Sequence, residues 1–134
     1  MAEAFKFDLV SPERLLVSQD VESVVIPGTE GELTVMATHA PTMTSIKPGV
    51  VTVSADGKTE RYVVFGGFAD ILPDSCTVLA ESAVHVDDIN REDLARRIQD
   101  AREDIEDAKD HETRMRAEEF LHQLTTLEGA ILPA

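Results

Sequence analysis

The sequence predicts an α+β fold in which short strands form a sandwich or barrel and an antiparallel two-helix hairpin follows. Three observations carry this expectation. From Phe5 to about Val86, short apolar runs alternate with polar residues, which is the period of half-buried strands. Gly- and Pro-containing pairs interrupt these runs at regular spacing, as in all-β architectures. From Ile89 onward the apolar spacing changes to threes and fours, one stripe of an amphipathic helix. The expected domains are therefore residues 1–86 and 87–134.

Phe5-Lys6-Phe7-Asp8-Leu9-Val10 alternates strictly, and Leu15–Val17 and Val21–Ile26 follow as strands. Gly28-Thr29-Glu30-Gly31 reads as a turn, with Glu32–Met36 as the returning strand. Lys47-Pro48-Gly49 reads as a second turn, leading into Val50–Val53. Asp56-Gly57 is a hairpin signal, because a two-residue turn needs positive φ and glycine supplies it at low cost. It is expected to join Val50–Ser54 to Arg61–Phe65. Gly66-Gly67 and Pro73-Asp74-Ser75 are expected to punctuate two more strands, the last ending in Cys76–Ala80.

In the second half, Asn90 is a plausible N-cap, with Glu92 and Asp93 placed in the first turn. Leu94, Ile98, Ala101, Ile105 and Ala108 form the first helical stripe. Lys109-Asp110-His111 marks the break, with Asp110 or Thr113 capping the next helix. Phe120, Leu124, Leu127 and Ile131 form the second stripe, ended by Gly129 and Pro133. A short link between two helices implies an antiparallel pair. Such a small arm is not expected to be stable alone. It should lie on the β domain or on a partner, and could exchange between them.

Composition narrows the function. The chain has 134 residues, a formal net charge of −14, 43% hydrophobic residues and no Trp. That is a globular mixture with an aliphatic core. The negative charge disfavours nucleic acid and anionic lipid, which both select Lys and Arg. A single cysteine, Cys76, rules out an internal disulfide. No secretory signal or transit peptide is recognisable at the N-terminus, and no apolar run approaches the ~20 residues of a membrane span.

The chemistry of an enzyme is not evident. His39, His85, His111 and His122 show no metal-ligand spacing with a third ligand nearby. They read as surface or interface histidines, and Cys76 as an inert strand residue. Gly66-Gly67 lacks the Lys-Ser or Lys-Thr of a phosphate-cradling loop. The adjacent acids Asp87-Asp88 and Glu103-Asp104 read as solvated faces. No catalytic residue, metal or cofactor is expected.

One stretch carries more specific information. Gly28-Thr29-Glu30-Gly31-Glu32-Leu33, then His39-Ala40-Pro41, then Ile46-Lys47-Pro48-Gly49, resembles the epsilon subunit family of bacterial F-type ATP synthases. Gly66-Gly67-Phe68 and Val78-Leu79-Ala80-Glu81-Ser82-Ala83 extend the likeness over essentially the whole chain. The resemblance implies a flattened ten-stranded antiparallel β-sandwich followed by two helices. It also implies a non-catalytic rotor part at the foot of the central stalk, held by the gamma subunit and resting on the c-ring. Such a part couples proton-driven c-ring rotation to gamma and ATP synthesis. Contact with the catalytic alpha and beta subunits stays open. The resemblance places Glu30, Gly31, Glu32 and His39 on the c-ring and gamma contact face, where exposed carboxylates could accept charge-assisted hydrogen bonds from arginines. The mitochondrial counterpart carries a cleaved presequence, so the start at Met1 points to a bacterium. The expected location is then the cytoplasmic face of the inner membrane, peripheral and without insertion. The rival reading is an acidic sandwich-plus-hairpin adaptor unrelated to ATP synthase. A ligand-binding sandwich enzyme is a more distant one.

The chain also departs from that family. Ala37-Thr38 replaces the usual Pro-Gly before His39, so a turn of different shape is expected there. Some members bind ATP through an Ile/Leu-Asp-x-x-Arg-Ala pattern with further arginines downstream. In this chain the run begins Ile89-Asn90, with Asp93 at the first arginine position and Asp100 at a later one. A carboxylate in place of a guanidinium repels phosphate. Inhibitory members carry basic residues on the second helix. Here Arg114 and Arg116 stand against Glu112, Glu118, Glu119 and Glu128. A weak or absent brake on hydrolysis is expected. Titration calorimetry of the isolated chain should show no saturable ATP binding below ~100 μM, and a saturating isotherm in that range contradicts the reading.

Overall fold

The computed structural model describes residues 3–131. Eight strands form one folded sheet: β1 (Phe5–Val10), β2 (Leu15–Val21), β3 (Ser23–Gly28), β4 (Gly31–Met36), β5 (Thr42–Ala55), β6 (Lys58–Leu72), β7 (Ser75–Ala80) and β8 (Ala83–His85). A single 3₁₀ turn (Val86–Asp88) precedes helices α1 (Arg91–Asp107) and α2 (His111–Ile131). The strand order is β2-β1-β7-β6-β5-β3-β4, with β8 also on β6. Every pairing is antiparallel except β1 with β7. Two compact units, Met1–Asp87 and Asp88–Ala134, divide the chain.

The β unit closes over one core. Phe5, Phe7 and Leu9 of β1, Val24 and Ile26 of β3, Val51 and Val53 of β5, and Val78 and Ala80 of β7 all belong to it. The period-two reading of β1 is therefore correct: its alternate residues face inward.

The two longest strands differ from expectation. Lys47-Pro48-Gly49 is not a turn but lies within the 14-residue β5, and Gly66-Gly67 does not end a strand but lies within the 15-residue β6. The reason lies in which residues face the core. In β6, Val64 points inward before the glycines and Ala69 and Ile71 after them. In β5, Ile46 points inward before Pro48 and Val51 and Val53 after it. Both strands thus exchange faces at one corner, where the ladder skips the Lys47–Gly66 pair. The third strand turns there too: Glu81 N–H donates to Gly66 O and Phe65 N–H donates to Ser82 O, both at 3.0 Å. Counting β5 and β6 as two strands each turns eight into the ten implied by the resemblance.

Glycine is required at this corner. Gly66 and Gly67 have φ of 96° and 140°, which L side chains rarely adopt. A Cβ on Gly67 would lie 2.2 Å from the Leu79 carbonyl oxygen, which is backbone and cannot yield. The Asp56-Gly57 hairpin is as expected, with φ of 51° and 74°.

In the helical unit, Asn90 caps α1 by accepting hydrogen bonds from Glu92 N–H at 2.8 Å and Asp93 N–H at 3.1 Å. Asp110 caps α2 through Thr113 N–H at 2.7 Å, and that bond holds its carboxyl below the usual carboxylate range. Leu94, Ile98, Ala101, Leu124 and Leu127 are buried as expected. Phe120 is not: it is exposed, so the second stripe is narrower than the spacing suggested. Gly129 does not stop α2, which continues to Ile131. Pro133 lies outside the described residues.

Gly67→Ala is expected to destabilise the chain by more than about 2 kcal/mol. Urea unfolding followed by circular dichroism measures this; an unchanged midpoint contradicts the assigned corner.

Candidate functional site

The β3–β4 hairpin presents the first candidate residues. Gly28 pairs with Gly31, leaving Thr29 and Glu30 as the two-residue turn. Glu30, Gly31 and Glu32 are all exposed there, and Gly31 takes φ of 136°. Thr29 N–H donates to Ser45 O at 3.0 Å, which fixes the tip to β5. The tip thus holds two carboxylates around one glycine, as read from the sequence.

His39 is elsewhere. It follows β4, whose residues Leu33–Met36 lie beyond the tip, about 13 Å of extended chain. The structure therefore groups Glu30, Gly31 and Glu32 but does not bring His39 to them. Nδ1–H of His39 donates to Ala40 O at 2.8 Å, which leaves Nε2 as the outward hydrogen-bonding nitrogen. The turn before it is unusual: Thr38 has φ of 65°, a left-handed conformation costly for a β-branched residue. Its N–H is held by Pro73 O at 2.8 Å. Thr38 stands where the resembled family carries glycine, and a β-branched residue holds this left-handed backbone under strain.

The degenerate nucleotide motif is engaged within its own helix. Ile89 is half-buried just before the Asn90 cap. Asp93 accepts from Arg96 at 3.0 Å and Arg97 at 3.1 Å. The carboxylate at the expected arginine position thus also draws on the nearby guanidinium groups. Asp100, Glu103 and Asp104 are exposed.

Other polar groups read from the sequence have structural partners. His85 Nε2 meets Glu60 at 2.6 Å, its Nδ1 accepts from Asp87 N–H at 3.1 Å, and its ring stands edge-on to Tyr62. This constellation ties β8 and the 3₁₀ turn to β6. Cys76 is buried in the core, and burial, with Asp70 nearby, pushes its thiol up to about 12. Among the described residues no group of three side chains could hold a metal.

One surface has no counterpart in the sequence reading. The sheet face opposite the core, across β1, β7, β6 and β5, carries Val10, Leu79, Phe68 and Ser45 in one cross-strand row. Leu79 and Phe68 are 53% and 48% exposed, and Leu72 and Met43 add to the same face. A pocket of about 300 Å³ opens at the Val10 end, lined by Val10, Ser11, Pro12, Leu79, Ala80 and Glu81. Exposed apolar rows of this kind mark interaction surfaces. The alternation of β1 and β7 signalled an outward face, but only the register reveals that its apolar members line up.

Residues 4–86 match the family model described as ATP synthase, Delta/Epsilon chain, beta-sandwich domain. The chain belongs to the ATP synthase epsilon-chain family. Over their full lengths it is 76% identical to the ATP synthase epsilon chain of Mesorhizobium japonicum and 66% identical to that of Brucella canis. A chain in the cryo-EM structure of the Euglena gracilis mitochondrial ATP synthase, titled OSCP/F1/c-ring in rotational state 1, aligns with TM-score 0.74 and 28% identity. That alignment covers 95% of this chain and 81% of the other. A chain of the Tetrahymena thermophila central stalk and c-ring structure shares the fold, with TM-score 0.65 over 93% of this chain and 96% of the other at 9% identity. The protein is thus an epsilon subunit of ATP synthase, and the rival of an unrelated acidic adaptor is not supported. No helix among the described residues is long and apolar enough to cross a membrane.

Thr38→Gly is expected to stabilise the chain by about 1 kcal/mol by relieving the left-handed strain. Thermal unfolding monitored by circular dichroism checks this; a lower midpoint contradicts it.

Proposed function

We propose that this subunit is a non-catalytic rotor part that joins the c-ring to the gamma subunit and so couples proton-driven rotation to ATP synthesis. The outer row of half-buried Val10 with exposed Leu79 and Phe68 carries the reading. An apolar face of this kind is costly in water and is stable when covered. It seats gamma, with Met43 and Leu72 extending the contact and His39 at its far end. The tip, with Glu30, Gly31 and Glu32, faces the c-ring. Two carboxylates in an exposed turn suit basic loop residues. The surface row and the tip are joined through the Thr29–Ser45 hydrogen bond, so torque can pass from one to the other through sheet rather than loop.

The β unit, read from the sequence as residues 1–86, does the attaching, and the helical arm is a weak inhibitor of hydrolysis or none. Asp93 held by Arg96 and Arg97 supports little nucleotide binding. The location proposed is the cytoplasmic face of the bacterial inner membrane, peripheral, as part of the assembled enzyme.

Pull-down with recombinant gamma and c-ring tests the contacts. Phe68→Glu should abolish capture by gamma, and Glu32→Lys should weaken capture by the c-ring ~10-fold or more, with His39→Ala affecting gamma alone. Capture unchanged in all three contradicts the assignment. Truncation after Asp88 should leave the ATP hydrolysis rate of the reconstituted enzyme nearly unchanged. A several-fold rise contradicts the weak-brake reading.

A further inference from the structure

Next to the apolar row lies a group whose bonding is incomplete. Asp8, Thr77, Asp70 and Met43 form the adjacent cross-strand row of the same outer face. One carboxylate oxygen of Asp8, Oδ1, is shielded from solvent and has no hydrogen-bond partner. Lys6, two residues along the same face of β1, does not reach it. Asp70 stands two strands away, about 10 Å at ordinary strand spacing, so the row holds two acids and no cation. A shielded carboxylate oxygen without a donor is costly, and a donor from a docked partner is one way to complete it.

Resting on the proposal that gamma covers this face, we propose that Asp8 is a specificity-determining acceptor in that interface. It takes a charge-assisted hydrogen bond from a basic side chain of gamma. The apolar row supplies contact area, and the pocket beside Val10 supplies an anchor point. Neither fixes the register of the two surfaces, because apolar contact is non-directional. A charged pair does, and a like charge placed against Asp8 and Asp70 would reject a wrong alignment. The strongly acidic chain, at net charge −14, also favours a basic partner.

The free and bound states then make opposite demands on Asp8. Asp8→Asn keeps the size and removes the charge. In the isolated full-length chain it should raise the thermal midpoint by roughly 2 °C or more. Against the enzyme reconstituted without this subunit, it should weaken binding ~10-fold or more, and the loss should shrink with added salt. Asp8→Ser should do the same to binding. Phe68→Glu serves as the control for the docking face. A lower midpoint for Asp8→Asn means that Asp8 has its partner inside the fold and overturns the inference. Undiminished binding by Asp8→Asn, with binding lost in Phe68→Glu, overturns it while leaving the docking face standing. Undiminished binding by Phe68→Glu removes the docking face and the inference together.

Discussion

At Gly67 the backbone of β6 passes so close to β7 that a single added carbon would lie 2.2 Å from the Leu79 carbonyl oxygen. This approach governs what lies on either side of it. Before the corner, β6 offers Val64 to the core; after it, Ala69 and Ile71. The same exchange of faces in β5, and the crossing hydrogen bonds to Glu81 and Ser82, let three strands turn together. One long ribbon can then serve both parts of the folded sheet. The residues just beyond the corner, Phe68 and Leu79, are thereby turned to the outside. The hairpin tip is tied to Ser45, the partner of Phe68. The apolar row and the acidic tip therefore share one rigid piece of sheet, which a part that transmits force needs more than it needs a pocket.

The helical unit follows a different logic. Its caps are good: Asn90 and Asp110 each satisfy backbone donors that a helix start leaves open. Its charge distribution is less favourable. Asp104, Glu106 and Asp107 crowd the last turn of α1, where no basic residue answers them. Carboxylates there oppose the helix dipole. The helix is held instead by buried Leu94, Ile98 and Ala101. The second helix, with Arg114 and Arg116 against Glu112, Glu118, Glu119 and Glu128, likewise offers little net positive charge for an electrostatic latch. Both features fit the proposal that attachment rests on the β unit and that the arm is a weak brake or none.

Much of this was legible in the sequence, and the failures have physical causes. The alternation of β1, the Asp56-Gly57 turn and the Asn90 cap were readable because each depends on neighbours in the chain. The corner was not. Pro48-Gly49 and Gly66-Gly67 are ordinary turn signals, and only the pairing of β5 with β3 and β6, and of β6 with β7 and β8, shows that the strands continue through them. Phe120 had helical spacing, but spacing does not say which part of a stripe will be covered. The turn that exposes Glu30 and Glu32 was readable from Gly28-Thr29-Glu30-Gly31, while their assignment to a contact face came from the family resemblance. The resemblance grouped His39 with them on one contact face, but an extended β4 separates it from the tip. The outer apolar row was invisible for the opposite reason: Val10, Phe68 and Leu79 are remote in the chain and meet only through register.

The proposal that gamma seats on the outer row is the point on which attachment turns. A cryo-EM structure of the assembled enzyme containing this chain tests it most directly. Phe68 and Leu79 should be fully covered by gamma, with a basic side chain within hydrogen-bond distance of Asp8. A map in which that face remains open to solvent while gamma is bound elsewhere would contradict it.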